Sequence, residues 1–284
     1  MAQIIDGKRV SLQIKLEIKG AIEQFKKRYN MIPGLAVILV GDDIASATYV
    51  RNKQKACEDV GINSRTFSFS SDIDEKELVA LIKELNRSPE YHGILVQLPL
   101  PKHIDSKKVL NLIDGQKDVD GFLPVNIGKL FTGEETLYPC TPNGIMTLLN
   151  VYNIPVSGKH AVIVGRSNIV GKPLAIMMLS ANATVTICHT KTKDIEGLVN
   201  QADILVAAAG RRGLIKGEWI KQGAVVIDVG MNRSDDGKLV GDVEFEEAQK
   251  RASYITPVPG GVGPMTIAML MKNTLLAAER QLKS

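Results

Sequence analysis

The stretch "HAVIVGRSNIVGKP", residues 160–173, decides the fold. A short β-branched apolar run reaches a glycine turn, and the turn opens into a helix start, which is the layout of a dinucleotide phosphate site. The motif is not a strict GxGxxG, because Ser167 stands where the second glycine would be and Gly165 and Gly171 flank it. The physical requirements are still met. Gly165 permits the tight turn, Ser167 offers a hydroxyl to phosphate, Gly171 lets backbone approach closely, and Pro173 suits a first helical turn. An ordinary βα turn in an α/β domain is the plainer reading of the same residues.

Working downstream, "TVTICH" (184–189), "DILVAAAG" (203–210) and "AVVIDVG" (224–230) continue the strand series. An NAD site commonly carries Asp or Glu about 20 residues after the turn, at the end of the second strand. Here that strand runs into "CHTKTK". Thr190 occupies the position of the acid, with Lys191 and Lys193 beside it and Arg166 in the first turn, a set that suits a 2'-phosphate. NADP is therefore the expected cofactor, although such residues are also common on surfaces.

Working upstream, residues 8–29 read as a helix, and "GLAVILVG" (34–41), "RTFSFS" (65–70) and "HGILVQLPL" (92–100) as strands with helices between them. This alternation predicts α/β architecture with largely parallel sheets. The Gly-, Pro- and Thr-rich segment 131–144 looks like a domain junction, and "YITPVPGGVGPMT" (254–266) like a loop of fixed shape. The last helix carries Ile267, Leu270, Met271, Thr274, Leu275, Ala278 and Leu282 at helical spacing, a stripe that needs a partner surface. Two domains are expected, 1–139 and 140–264, with the helix at 265–284 packing back on the first and a cleft between them.

Composition narrows the function. With 284 residues, 44% hydrophobic and 23% charged, the chain has material for real cores. Its 35 basic and 31 acidic residues leave a diffuse +4, with no basic block to mark a nucleic-acid surface. Asp6, Lys8 and Arg9 interrupt any secretion signal, and no apolar run approaches a membrane span. Cys57, Cys140 and Cys188 form no CxxC pair, and the four histidines lack metal spacing. A cytoplasmic protein without a metal is expected.

A second constellation lies in the first half. If "SATYVRNKQKACEDVGI" (46–62) turns about 100° per residue, Tyr49, Lys53, Ala56, Cys57 and Val60 share one face, and Lys53 sits in the buried stripe while Lys55 does not. A buried ammonium without a partner or purpose is rare. Gln97 ends an apolar strand, and Asp118 and Asp120 lie in a turn; with parallel strands all of these gather at one end of a sheet. Singly, a sheet-edge cap and turn-shaping aspartates would account for them.

The motifs "TYVRNKQKAC", "HGILVQLPLP", "KDVDGF", "PCTPNG", "VGRSNIVGKP", "VIDVGMN", "GDV" and "ASYITPVPGGVGPMT", in that order over nearly the whole chain, resemble those of the bifunctional methylenetetrahydrofolate dehydrogenase/cyclohydrolases of the bacterial cytoplasmic type. The resemblance implies a folate-binding domain joined to a Rossmann-type NADP domain, in a homodimer. It implies oxidation of 5,10-methylenetetrahydrofolate to the methenyl cation with NADP, then hydrolysis to 10-formyltetrahydrofolate, a supply for purine biosynthesis. It implies catalytic roles for Lys53, its partner Gln97, Tyr49 stacking on the aminobenzoyl ring, and Asp120 gripping the pterin. Val50, Arg51, Asn52, Val96 and Leu98 would border the folate site. So would the loop Pro259, Gly260, Gly261, Val262, Gly263, Pro264, Met265, Thr266 and Ile267. Gly165, Arg166, Ser167, Thr190 and Met231 match cofactor-contacting positions; relatives often carry serine at the Thr190 position, and threonine keeps the hydroxyl.

Hydride loss needs mainly geometry, whereas hydrolysis needs proton handling, which Lys53 could supply. A neutral Gln97 holds the amine without fixing its charge. The rivals are another two-domain NADP dehydrogenase, such as a shikimate or amino-acid enzyme, and a nucleotide-binding regulatory module. The first would call for an Arg or Lys clamp on a carboxylate, and the second gives an inward lysine no task.

Overall fold

The structure, a computed structural model, describes residues 1–283, apart from the side chain of Ala45. A short strand, β1 (Gln3–Ile4), leads into α1 (Gly7–Tyr29). Then come β2 (Gly34–Val40), α2 (Ile44–Val60), β3 (Asn63–Phe69), α3 (Glu75–Arg87) and β4 (Gly93–Val96). The helices α4 (Ser106–Leu110), α5 (Pro124–Thr132) and α6 (Cys140–Val151) follow. The second series is β5 (His160–Val164), α7 (Gly171–Ser180), β6 (Thr184–Cys188), α8 (Ile195–Asn200), β7 (Ile204–Ala207) and β8 (Val225–Asp228). A small antiparallel hairpin, β9 (Asn232–Arg233) and β10 (Leu239–Val240), precedes α9 (Phe245–Arg251), β11 (Tyr254–Ile255) and α10 (Val262–Gln281).

Two compact units result: Gln13–Cys140 with Ile267–Ser284, and Met1–Leu12 with Thr141–Thr266. In the first, β3, β2 and β4 form a parallel sheet in that order, and a parallel bridge from Ile94 to Asp118 sets residue 118 beside β4. The chain leaves β2 toward β3 and returns on β2's other side, so the winding direction reverses between β2 and β4. Every residue of β4 is buried, and all but one of β2, as expected of strands covered on both faces. Asp43 starts α2 by accepting from Ser46 N at 2.7 Å, and Gly61, at φ 90°, ends it.

In the second unit the parallel order is β6-β5-β7-β8-β11-β1. Its switch point falls between β5 and β7. Ligands of such sheets collect outside the carboxyl ends of the strands where the order reverses. A core of Val162, Val164, Leu205, Val226 and Ile255 lies within this unit, and one of Ile38, Ile82, Ile94 and Val96 within the other.

Four readings of the sequence change. Residues 1–12 belong with the dinucleotide unit, because β1 pairs with β11 (Gln3 opposite Tyr254) and Ile5 N donates to Ile255 O at 2.8 Å. A two-residue strand carries no period; its place is decided by a partner near the other end of the chain. The junction 131–144 is irregular only between α5 and α6, and the loop 254–266 only between β11 and α10. Pro142 and Pro264 each stand third in their helix, where the missing N–H would have had no intrahelical acceptor. Gly144 serves packing instead: a Cβ there would lie 2.9 Å from Met265 Cβ. The strand expected over 92–100 stops at Val96, before Pro99 and Pro101, which have no N–H for a ladder.

Candidate active site

In the unit formed by Gln13–Cys140 and Ile267–Ser284, α2 leaves the end of β2 and presents its apolar side inward. Ala56, Cys57 and Val60 are buried, Tyr49 and Lys53 half-buried, and Arg51, Asn52 and Lys55 exposed; Val50 is buried as well. Gln97 follows the end of β4, its backbone N–H still donating to Ile38 O at 2.9 Å. The two switch-point strands therefore bring Lys53 and Gln97 together: Lys53 Nζ donates to Gln97 Oε1 at 3.1 Å. Gln97 Nε2 is committed to Leu98 O at 2.8 Å, which turns the amide oxygen toward the amine. Val96 is buried and Leu98 half-buried on either side.

The aspartates divide their labour. Asp118 is buried and accepts from Gly121 N (3.1 Å), Leu123 N (2.8 Å) and Asn126 Nδ2 (2.8 Å), so it shapes the turn. Among the described residues, the Asp120 carboxyl accepts no hydrogen bond. Burial pushes it up to about 6, the charge of Lys53 pulls it back and Asp118 pushes it further up. Lys53 and Asp120 thus feel each other's charge. The thiols nearby are not nucleophiles: burial first of all drives Cys57 up to about 12 and Cys140 well above its usual range. Burial also raises the Tyr49 phenol.

A stability prediction follows from Asp120. A carboxyl whose folded pKa is raised contributes stability that is full below its unfolded value, near 3.8, and lost as pH rises through about 6. Ionised Asp120 therefore costs stability at neutral pH, about 2 kcal/mol once its partial exposure is allowed for. Thermal unfolding should show Asp120→Asn more stable than the parent at pH 7.5, with the gain gone by pH 4. A gain that persists at pH 4 would contradict it.

In the other unit, Gly165 ends β5 at φ 136°, and a Cβ there would lie 2.2 Å from Ala208 O, at the end of β7. The glycine turn is thus at the switch point itself. Arg166 and Ser167 are exposed, and Ser167 Oγ accepts from Val170 N (3.1 Å) and Gly171 N (3.4 Å) at the start of α7, leaving its O–H to donate outward. Thr190 is exposed beyond β6, in a turn where His189 N donates to Thr192 Oγ1 at 2.9 Å. The first acid after β6 is Asp194, and it is occupied in capping α8 through Gly197 N at 2.9 Å. With Lys191 and Lys193 exposed and that carboxylate engaged, the donor set fits a 2'-phosphate. Met231, 48% exposed, follows β8.

The glycine–proline segment is split between elements. Pro259, Gly260 and Gly261 form the turn after β11, with Gly260 O accepting from Lys8 N at 2.9 Å; Val262, Gly263, Pro264, Met265, Thr266 and Ile267 open α10. Thr266 and Thr141 share a 2.9 Å hydroxyl hydrogen bond.

Some supporting residues had little signal in the sequence. Asp242, fully buried, accepts from Ala209 N (2.7 Å), Gly210 N (2.9 Å), Arg211 N (2.8 Å) and Asn232 Nδ2 (2.8 Å), and so holds the loop after β7 beside Gly165. Asn126 and Thr136 complete the Asp118 network, with Thr136 Oγ1 donating to Asn126 Oδ1 at 2.7 Å. These contacts join residues distant in the chain; only "GDV" and the aspartate turn hinted at them.

Two doubly wound units, one with a phosphate-type glycine turn and one with a lysine–amide–carboxyl cluster, define a dinucleotide-dependent enzyme of the α/β class. Comparison with known proteins makes this particular. The family model for the tetrahydrofolate dehydrogenase/cyclohydrolase catalytic domain matches residues 5–120, and that for the NAD(P)-binding domain of the same family matches residues 139–282. The chain is 56% identical over 280 residues to the bifunctional protein FolD of Magnetococcus marinus, covering 99% of this chain and 98% of that one. It superimposes with a TM-score of 0.97 on the Campylobacter jejuni bifunctional methylenetetrahydrofolate dehydrogenase/cyclohydrolase, at 52% identity over 99% of this chain and all of the other. The Trypanosoma brucei enzyme, complexed with NADP cofactor and inhibitor, gives 0.96 at 41% identity, covering all of this chain and 99% of that one. The chain belongs to the tetrahydrofolate dehydrogenase/cyclohydrolase family.

Proposed function

We propose that Lys53, Gln97 and Asp120 form the centre of a bifunctional enzyme that oxidises 5,10-methylenetetrahydrofolate with NADP and hydrolyses the product to 10-formyltetrahydrofolate. The observation that carries the assignment of residues is the 3.1 Å Lys53–Gln97 hydrogen bond at the switch point, within the field of Asp120. Asp120, whose carboxyl accepts no hydrogen bond among the described residues, is placed to accept from the N–H groups of a pterin. Tyr49 offers a ring for the aminobenzoyl group, and Val50, Arg51, Asn52, Val96 and Leu98 border the site. The residues from Pro259 to Ile267 are the remaining part of the folate contact surface in this reading.

Gly165, Arg166, Ser167, Thr190 and Met231 hold NADP, which supplies the hydride acceptor when bound. Loss of hydride from the methylene carbon leaves a cation shared by two nitrogens, and no protein acid is required. Hydrolysis differs. Water adds to that carbon and loses a proton; the bond to the ring nitrogen then breaks as the resulting hydroxyl gives up its own proton to become the formyl carbonyl and the nitrogen gains one, so that one proton is released overall. Lys53 is placed to take and return these protons, while Gln97 holds the amine in position without supplying a charge.

Following methenyl-folate absorbance after adding methylenetetrahydrofolate and NADP, and then its decay, tests both reactions. No NADP-dependent rise, or a methenyl product that persists no less than without enzyme, would sink the reading. Thr190→Asp should shift preference from NADP toward NAD by about tenfold or more in the ratio of kcat/KM values, through repulsion of the 2'-phosphate. A homodimer in the cytoplasm goes with this function. The three buried, unpaired cysteines agree with a reducing compartment, and light scattering checks the dimer.

A further inference from the structure

Among the described residues no hydrogen bond aims the Asp120 carboxyl, so its direction rests on its backbone. That backbone is tied down from an unexpected place. Asn273, on α10 and only 2% exposed, donates through Nδ2 to Val119 O and to Tyr138 O, each at 2.8 Å. Both amide hydrogens are thereby used, one on the residue preceding Asp120 and one on the segment facing Gly121. The same Val119 carbonyl accepts the Cys140 thiol at 3.3 Å. Gly121, at φ 73°, lies so close to this segment that a Cβ would come within 2.6 Å of Pro139 N. Two residues earlier on the same helix, Met271 Sδ meets Cys57 Sγ at 3.4 Å, one turn along α2 from Lys53. One helix therefore touches both the lysine's helix and the carboxyl's turn.

We propose that Asn273 is a positioning residue for the folate site: it holds the peptide leading into Asp120, and so fixes where that carboxyl meets the substrate. This rests on the role assigned to Asp120 above. Without the amide, the Tyr138 carbonyl loses this donor and the Val119 carbonyl keeps only the weaker Cys140 thiol, so the 119–120 peptide is held less firmly, while nothing in the glycine turn at Gly165 changes.

A double-mutant cycle separates this from a purely structural role. Asn273→Ala should raise KM for methylenetetrahydrofolate about tenfold, with the NADP Kd within twofold of the parent, measured well below the unfolding temperature. In an Asp120→Asn background, the same change should alter KM less than twofold. Asn273→Ser, which keeps one donor, should give an intermediate KM and carries the same cycle if the alanine variant does not fold. An unchanged KM in the single Asn273 variants, or an equal rise in both backgrounds, would overturn the inference with the site reading intact. An unchanged KM in Asp120→Asn alone would overturn the role of Asp120 itself.

Discussion

Lys53→Met is expected to lower methenyl hydrolysis by about a thousandfold, in the range that a positioned proton-transfer group contributes. Dehydrogenase activity should fall much less, because hydride departure from the methylene carbon requires no proton to move. What it loses is the positioning that the Lys53–Gln97 pair supplies to the substrate. Methionine keeps most of the side-chain length of a half-buried residue, so folding is preserved and the thermal midpoint should barely change. Lys55→Met is the control: Lys55 is exposed, two residues on, and both activities should stay within twofold. Rates of methenyl decay and of NADP reduction, measured on the same preparations, provide the check. Hydrolysis within tenfold of the parent in Lys53→Met would remove the lysine from its role.

Gly165→Ala should act on the opposite activity. The added methyl would stand 2.2 Å from Ala208 O, on a backbone at φ 136°, a region that side chains avoid. Strain and overpacking together cost about 3 kcal/mol. Relief requires β5 and β7 to part where the turn must stay tight, and Gly171, whose own Cβ position lies 2.1 Å from Gly165 O, would be displaced with it. NADP affinity is expected to drop at least about a hundredfold, with a lower thermal midpoint. Hydrolysis assayed without NADP should largely persist, since Lys53, Gln97 and Asp120 all lie within Gln13–Cys140. Gly210→Ala offers the contrast: its φ is 64° with no atom within 4 Å of the Cβ position, so only the left-handed backbone cost of about 1 kcal/mol applies. Normal NADP titration of Gly165→Ala would refute the account of the turn.

Much of the fold is legible in the sequence. The strands 34–40 and 160–164 announce themselves as apolar runs ending in glycine, and the period of α2 alone turns Lys53 inward and Lys55 outward. Proline-rich helix starts were misleading for a definite reason. Pro142 and Pro264 make their segments read as a junction and a loop, yet within a first turn proline forgoes nothing. The split between the two aspartates was also hidden. "KDVDG" shows two carboxyls two residues apart, but which one is consumed by the turn depends on Asn126, eight positions on, and on the bridge to Ile94.

By itself, the amino-acid sequence determined the α/β class, the glycine turn, the missing acid after β6 and the inward lysine, because each is a local pattern of period, turn chemistry or charge. The resemblance pointed to Gln97 as the lysine's partner and to Asp120; only the tertiary structure decided that the first twelve residues complete the dinucleotide unit's sheet, that the Lys53–Gln97 contact is a hydrogen bond, that the turn consumes Asp118 and, among the described residues, leaves the Asp120 carboxyl unbonded, and that Asn273 braces its peptide. Those facts depend on pairings between segments far apart in the chain, where burial and hydrogen-bond satisfaction are settled by what the fold brings alongside.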